Sequence, residues 1–319
     1  MEKEKLKKLS EIRLLPNWKI FLFYAVWIGC CAIAWHTTNI WVKIICFGIA
    51  GYFQMGIVTF MHECTHNTLF KKKWQNFYAG VFMMIPFVVS FISFKDDHLR
   101  HHRYNRTDKD PDAAFMGNRN IGDFLVYYGY IFFGIFLSVI QFTFIYPFQY
   151  FRGKKLFIHI AENILHFSCY YFIYQWAVLH GVESKLTEVF WGPLISFSLL
   201  NSIRFVTEHH GTPWDKGQLA GSRTITSNPV HSFCWNNINW HIGHHVYPTV
   251  PWYNLQLLHK EILPDIEEQG AEVRKSTFAV FWEAFKHGPE SIESNKLRLS
   301  KRNGQSQDLT DLQENEGLV

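Results

Sequence analysis

Cysteine is scarce, and its placement excludes two fold classes. The six present (Cys30, Cys31, Cys46, Cys64, Cys169 and Cys234) include no CxxC pair, which argues against a disulfide framework and against a zinc ribbon. Charge is missing from the long stretch between Phe124 and Phe151, which holds no Asp, Glu, Lys or Arg. No small-residue cleavage site follows the first apolar segment, and the polar lead MEKEKLKKLSEIRLLPNWK is too long for a secretory signal, so that segment is expected to remain as an anchor. There is no internal repeat, and no nucleic-acid partner is expected.

What is present is sharply segregated. The 319 residues are 48% hydrophobic and 18% aromatic, yet the mean hydropathy is only −0.06 because apolar and polar segments cancel. Residues 17–36, 41–60, 77–94, 124–151, 156–180 and 187–206 are mostly apolar, whereas 1–16, 95–123 and 207–319 are polar. A spanning helix needs about 20 apolar residues at a rise of 1.5 Å each, and several of these runs qualify. A soluble core would show amphipathic stripes instead. The expectation is an all-α integral membrane protein, with Trp35, Trp41, Trp176 and Trp191 as interfacial anchors.

Basic residues set the expected orientation. Lys3, Lys5, Lys7, Lys8 and Arg13, then Lys71 to Lys73, then Arg152, Lys154 and Lys155 read as cytoplasmic. The connections 36–40 and 180–187 carry almost no positive charge and read as external. Four crossings satisfy this pattern, near 17–36, 41–60, 156–180 and 187–206. Segments 77–94 (with Pro86) and 124–151 (with Gly129, Gly134 and Pro147) are left as bent elements lying in or dipping into the inner leaflet. The domain is expected to cover 1–286, and the polar stretch 287–319 lacks large apolar residues and reads as a disordered tail.

Histidine carries the chemistry. Of 17 histidines, eight fall into three groups: His62 and His66; His98, His101 and His102; His241, His244 and His245. On a helix, residues three or four apart share a face, so each group points its imidazoles one way. One HxxxH at a helix end is ordinary, since a histidine suits the C-terminal dipole. Three such groups beside membrane segments are different, because clustered imidazoles would repel when protonated and lose solvation when buried. A metal site accounts for them. Structural zinc takes four ligands and often thiolates, whereas imidazole suits iron, copper, nickel and zinc. Eight or nine nitrogens divide between two ions, with open positions for dioxygen, and iron fits a membrane setting where an unactivated C–H bond must be attacked. His36, His159, His166, His180, His231, His259 and His287 show no cluster geometry. Glu162, inside an apolar run, is a functional candidate by its depth alone.

HxxxH, HxxHH and HxxHH in this order resemble the membrane fatty acid desaturase superfamily, which includes related hydroxylases and ketolases. The likeness runs from about Leu22 to Leu258 and extends beyond the histidines, through HECTHN, HLRHHRYNRTDKDPD and NWHIGHHVYPTVPWYNL. It implies a four-helix transmembrane stalk with a helical cytoplasmic cap around a di-iron site (Fe2+/Fe3+), with His62, His66, His98, His101, His102, His241, His244 and His245 as ligands. In RFVTEHHGTPW, His209 follows Glu208 as in the family pattern, so the resemblance favours it as the ninth ligand, with His210 the weaker candidate. Asn201 does not stand four residues before His209, so no Asn ligand is carried over. Glu63, Asp97, Asp110, Asp112, Glu208 and Asn239 lie near the boxes and are candidates to orient the ligands.

The resemblance further implies an acyl-lipid or acyl-thioester substrate in the bilayer, dioxygen as cosubstrate, and an active site on the cytoplasmic side. That would be the inner membrane in a bacterium or the endoplasmic reticulum in a eukaryote. Neither an HPGG-type haem motif nor a CxxC iron–sulfur motif is present, so a separate ferredoxin- or cytochrome-type donor is expected to supply the electrons, received by basic loops around Lys71 and Arg100. A hydroxylase or carotenoid ketolase would use the same ligands; chain length and the HECTHN and HHRYNRTDKDPD contexts favour the desaturase. A metal transporter would place its site near the bilayer midplane, and a haem protein would need axial pairs inside spans.

Overall fold

The computed structural model describes residues 1–112 and 116–300. In chain order the helices are α1 (Lys3–Leu9), α2 (Lys19–His36), α3 (Ile40–His66), α4 (Lys73–Met84), α5 (Phe91–Tyr104), α6 (Ile121–Val139), α7 (Tyr146–Tyr150), α8 (Gly153–Leu179) and α9 (Glu183–His209). Shorter pieces follow: α10 (Gly217–Ala220), β1 (Thr224–Ile225), α11 (Pro229–Cys234), α12 (His241–Val246), α13 (Leu255–Glu261), α14 (Leu263–Glu268), β2 (Val273–Arg274) and α15 (Thr277–His287). The two short strands pair in parallel, Thr224 with Val273 and Ile225 with Arg274.

The stalk is built on α3, which packs against both α2 and α9. Its start is capped by Asn39, whose Oδ1 accepts from the amides of Trp41 (2.9 Å) and Val42 (3.3 Å). Its end is set by Asn67 in the left-handed conformation at φ 59°, so the chain turns immediately after His66. Close approach of α3 and α9 depends on Gly51, where a Cβ would stand 2.6 Å from Ser196 Cβ and 2.7 Å from the Phe197 amide nitrogen. Phe23, Met55, Phe60, Met61, Met84 and Phe197 form the centre of the largest apolar cluster. Large apolar residues of α2, α6 and α8, among them Phe21, Leu125, Phe157 and Phe172, face outward, as a lipid-contacting surface requires.

Four helical stretches are long and apolar enough to cross a bilayer: Leu15–His36, Ile40–His66, Ile121–Tyr150 and Glu183–His209. The charge pattern places a crossing at 156–180, whereas the fourth apolar stretch here is Ile121–Tyr150. The difference has a residue-level reason, since His159, Glu162, Asn163 and His166 dilute α8, whereas Ile121–Tyr150 carries Asp123 as its only charge. That stretch is irregular, with a non-helical Phe133 and a π-helical segment over Ile140–Ile145 ahead of Pro147. Helices α4 and α5 are joined through Ile85–Phe87 and meet at 106°, turning at Pro86 and at Val88, whose φ is 59°.

Beyond His287 the structure departs from the disordered tail expected from 287 onward. Residues 292–300 are helical, and Glu290 and Asn295 are buried. Glu290 accepts from Arg106 Nη1 and from the Gly211 amide, both at 3.0 Å, and Asn295 Nδ2 donates to the Thr212 carbonyl at 3.0 Å. The polar composition here serves a buried ion-pair network instead of solvent. The rest of the expected tail, 301–319, lies outside the described residues.

Candidate metal centre

Helices α3, α5 and α9 deliver their C-terminal turns to one place, and α12 closes it. His62 and His66 are a turn apart on α3, and His98 shares a face of α5 with His101 and His102. His62, His66, His98, His102 and His244 each offer a ring nitrogen within 4.8 Å of all the others. Within this set the Nε2 atoms of His66 and His98 are 3.0 Å apart, as are those of His102 and His244. His101, His209 and His245 form a second set. His241 completes it, with its Nε2 3.0 Å from those of both His209 and His245.

Outer hydrogen bonds decide which way these rings face. His101 Nδ1 is 2.9 Å from Asp110 Oδ1, His209 Nδ1 is 3.0 Å from the Gly221 carbonyl, and His245 Nδ1 is 3.0 Å from Gln218 Oε1. An Nδ1–H donated outward leaves the Nε2 lone pair pointing inward. Burial, reinforced by neighbouring imidazoles, holds His241, His244 and His245 well below the ordinary imidazole range, so they are neutral at pH 7. Both nitrogens of His62 lack a hydrogen-bond partner among the described residues. Neutral imidazoles with lone pairs converging at 3.0 Å repel unless a cation lies between them. Ligands held at ~2.1 Å and at right angles about one ion would be ~3.0 Å apart. The donor set therefore fits two imidazole-bound transition-metal ions, one per set.

The sequence model of one family, described as Fatty acid desaturase, matches residues 38–277. The chain belongs to the fatty acid desaturase family. It is 24% identical over 274 residues to the sn-1 oleoyl-lipid 12-desaturase of Arthrospira platensis, covering 72% of this chain and 69% of that one. It is 24% identical over 324 residues to the dihydrorhizobitoxine desaturase of Bradyrhizobium elkanii, covering 93% and 88%. It is 25% identical over 278 residues to a human sphingolipid delta(4)-desaturase, covering 81% and 79%.

Among the candidate orienting groups of this family member, three lie against histidines of the two sets. Asp110 bonds His101 and also accepts the Arg106 amide at 2.8 Å, and Asp112 is 3.4 Å from the same His101 nitrogen. Burial raises Asp112 to about 6, against the pull of His101. Glu208 Oε1 is 3.5 Å from His241 Nδ1 and accepts from Arg204 Nε at 2.7 Å. The other three are placed differently. Glu63 accepts from Thr68 Oγ1 (2.7 Å) and the Trp252 amide (3.0 Å), tying α3 to the loop before α13. Asn239 donates to the Ile225 carbonyl at 2.8 Å, and Asp97 lines the cavity described below. His210 turns away from both sets and bonds the Gly288 carbonyl at 2.8 Å. Gln218 was missed by sequence reasoning; it sits in a polar loop with no motif to single it out.

Helices α3, α6 and α9 and the α4–α5 turn line a cavity of about 100 Å³ that ends at His62, His98, His209 and His241. Val58, Met61, Met84, Phe87, Phe142 and Phe197 make much of its wall apolar. The polar stripe of α8, also unforeseen, holds this architecture together from outside. Glu162 accepts from the amides of Phe91 and Ile92 (3.2 Å for the latter) and from Ser90 Oγ at 3.1 Å, capping the start of α5. His159 Nδ1 is 3.0 Å from Ser90 Oγ, its Nε2 is 3.2 Å from the Thr143 carbonyl, and His166 Nε2 is 3.1 Å from the Val81 carbonyl. Each contact satisfies a backbone or capping group exposed by a helix break, a necessity where lipid cannot.

Proposed function

We propose that this protein is a di-iron, dioxygen-dependent desaturase of a long-chain lipid, in which His62, His66, His98, His102 and His244 hold one iron and His101, His209, His241 and His245 hold the other. The observation that supports this most is the convergence of two sets of imidazole nitrogens at one end of a largely apolar cavity. The overall reaction is R–CH2–CH2–R′ + O2 + 2 electrons + 2 H+ → R–CH=CH–R′ + 2 H2O, with the electrons from a separate ferredoxin- or cytochrome-type carrier. Bound irons supply the oxidising power needed to break an unactivated C–H bond. The chain's own residues do the rest. Asp110, Gln218 and the Gly221 carbonyl fix imidazole orientation, while Met61, Phe87 and Phe197 exclude water and hold the hydrocarbon against the histidines.

The active site faces the cytoplasm in this reading, beside Lys71 to Lys73, Arg100 and Arg103, which offer cationic contacts to an acidic electron carrier. Metal analysis and optical spectra of the purified protein test it. The expected result is about two irons per chain and no Soret band. A haem spectrum, or protein that binds metal ions only reversibly with no redox response, would remove the desaturase reading.

A further inference from the structure

One wall of the cavity at the histidines is the stretch that runs from α6 into α7. Ile135, Ser138 and Phe142 line the cavity, whereas Thr143, Phe144 and Phe148 line a second space, a groove of about 500 Å³ against α8. The α8 side of this groove is a stripe on one helix face that includes Ile160, Ile164, Phe167 and Phe172. These four, with Phe144 and Phe148, are all exposed and belong to the large apolar surface that meets lipid. The polar groups of the lining are those of Thr143, His159, Asn163, Ser168 and Tyr171, and Asn163 Nδ2 is spent on the His159 carbonyl at 3.0 Å. The partition between the two spaces is not regular α-helix: Ile140–Ile145 is π-helical, a form met mostly at functional sites. Thr143 pins it on both sides, donating from Oγ1 to the Val88 carbonyl at 3.1 Å and offering its own carbonyl to His159 Nε2 at 3.2 Å.

We propose that this groove holds an acyl chain of the substrate lipid and is its way in from the bilayer, with Ile140–Ile145 yielding so that the carbons to be oxidised reach the histidines. The inference rests on the lipid-desaturase reading of the cavity and adds the route to it. Volume carries the argument. A protein cavity of about 150 Å³ holds one benzene, so the cavity of about 100 Å³ takes roughly four carbons and the groove of about 500 Å³ roughly twenty. A long chain with its reacting carbons at the histidines must therefore leave the cavity through a wall. The walls from α3 and α9 are backed by protein, since Met61 and Phe197 sit in the largest apolar cluster. Behind Ile140–Ile145 lies the groove, so movement of this partition displaces lipid and the two hydrogen bonds of Thr143 instead of the core. Phe142 stands on the cavity side with its ring 5.9 Å from that of Phe94, and Phe144 stands on the groove side, 6.4 Å from Phe167.

A phosphatidylcholine with a photoactivatable diazirine midway along an octadecanoyl chain tests this, using the full-length protein in nanodiscs and mass spectrometry to map the labelled residues. Met61 and Phe197, buried at the cavity, report entry, and Phe21 and Leu125, exposed on α2 and α6, report contact with the bilayer. Wild type is expected to label at both. The double variant Phe144→Cys with Phe167→Cys is joined across the groove by a short bis-methanethiosulfonate linker, in a background where Cys31 and Cys169, the two native cysteines that are not buried, are serine. Linking should abolish labelling of Met61 and Phe197, keep that of Phe21 and Leu125, and leave iron content unchanged; reduction, which releases the linker, should restore the lost labels. Ile164→Trp fills the groove without a linker and is expected to lose the same two labels. Labelling of Met61 and Phe197 that survives either closure overturns the inference. Linkage of two chains to each other, in place of α8 to the partition, marks the groove as an interface between copies and overturns it too. Absence of these labels in wild type removes the lipid reading of the cavity, and the route with it.

Discussion

Replacing Glu162 with Leu should loosen the metal centre from a distance. The side chain is buried in α8 and caps α5 through the amides of Phe91 and Ile92 and the Ser90 hydroxyl. Leucine matches the volume but leaves two buried N–H groups unmet, at about 1–3 kcal/mol each, for a total of roughly 2–6 kcal/mol. Water cannot take over within the bilayer. The cost falls on the start of α5, two turns before His98, so fraying there displaces three of the nine proposed ligands. In detergent the variant is expected to melt ~5–10 °C below wild type and to retain well under half of its iron. Glu162→Gln keeps an acceptor oxygen and should recover part of both. Hydrogen exchange at Phe91 and Ile92, slow in wild type, should become fast in the leucine variant. An unchanged melting temperature, iron content and exchange in Glu162→Leu would refute the claim that this carboxylate holds α5.

Two further outcomes follow from other residues. His101→Ala and His245→Ala should each lower iron content and cut activity by about 10–100-fold or more, whereas His210→Ala, which faces Gly288, should keep its iron; elemental analysis and turnover measure this. Burial would raise the Glu290 carboxyl, but Arg106, His210 and the Gly211 amide outweigh it and hold it well below the ordinary range. Because the folded value is depressed, its contribution to stability is complete above an unfolded pKa of about 4.3 and is lost as pH falls below it. Melting temperature measured between pH 7 and 3 should therefore fall more steeply in wild type than in Glu290→Gln, and parallel curves would contradict the assignment.

The three histidine groups were legible because helical spacing is local: three or four residues place imidazoles on one face whatever the tertiary fold. His209 was legible from its neighbour Glu208 and from the resemblance. The clamp by α8 was not, since Glu162 and its partners Phe91 and Ile92 are about 70 residues apart and only tertiary packing joins them. Three of the four polar residues that lower the apolarity of α8 (His159, Glu162 and His166) make the clamp, so the segment that composition favours as a span is Ile121–Tyr150. A polar C-terminal stretch read as disorder because composition cannot show that Glu290 and Asn295 meet Arg106 and Thr212.

The central claim, that these histidines support desaturation of a lipid chain, is tested most directly by product mass. The protein is expressed with a suitable reductase in a lipid-producing host, beside a His98→Ala control, and total lipids and carotenoids are profiled by mass spectrometry. The account expects a new lipid lighter than its precursor by two hydrogens and absent from the control. A product heavier by one oxygen, or a new keto-carotenoid, with no unsaturated lipid formed, would contradict it.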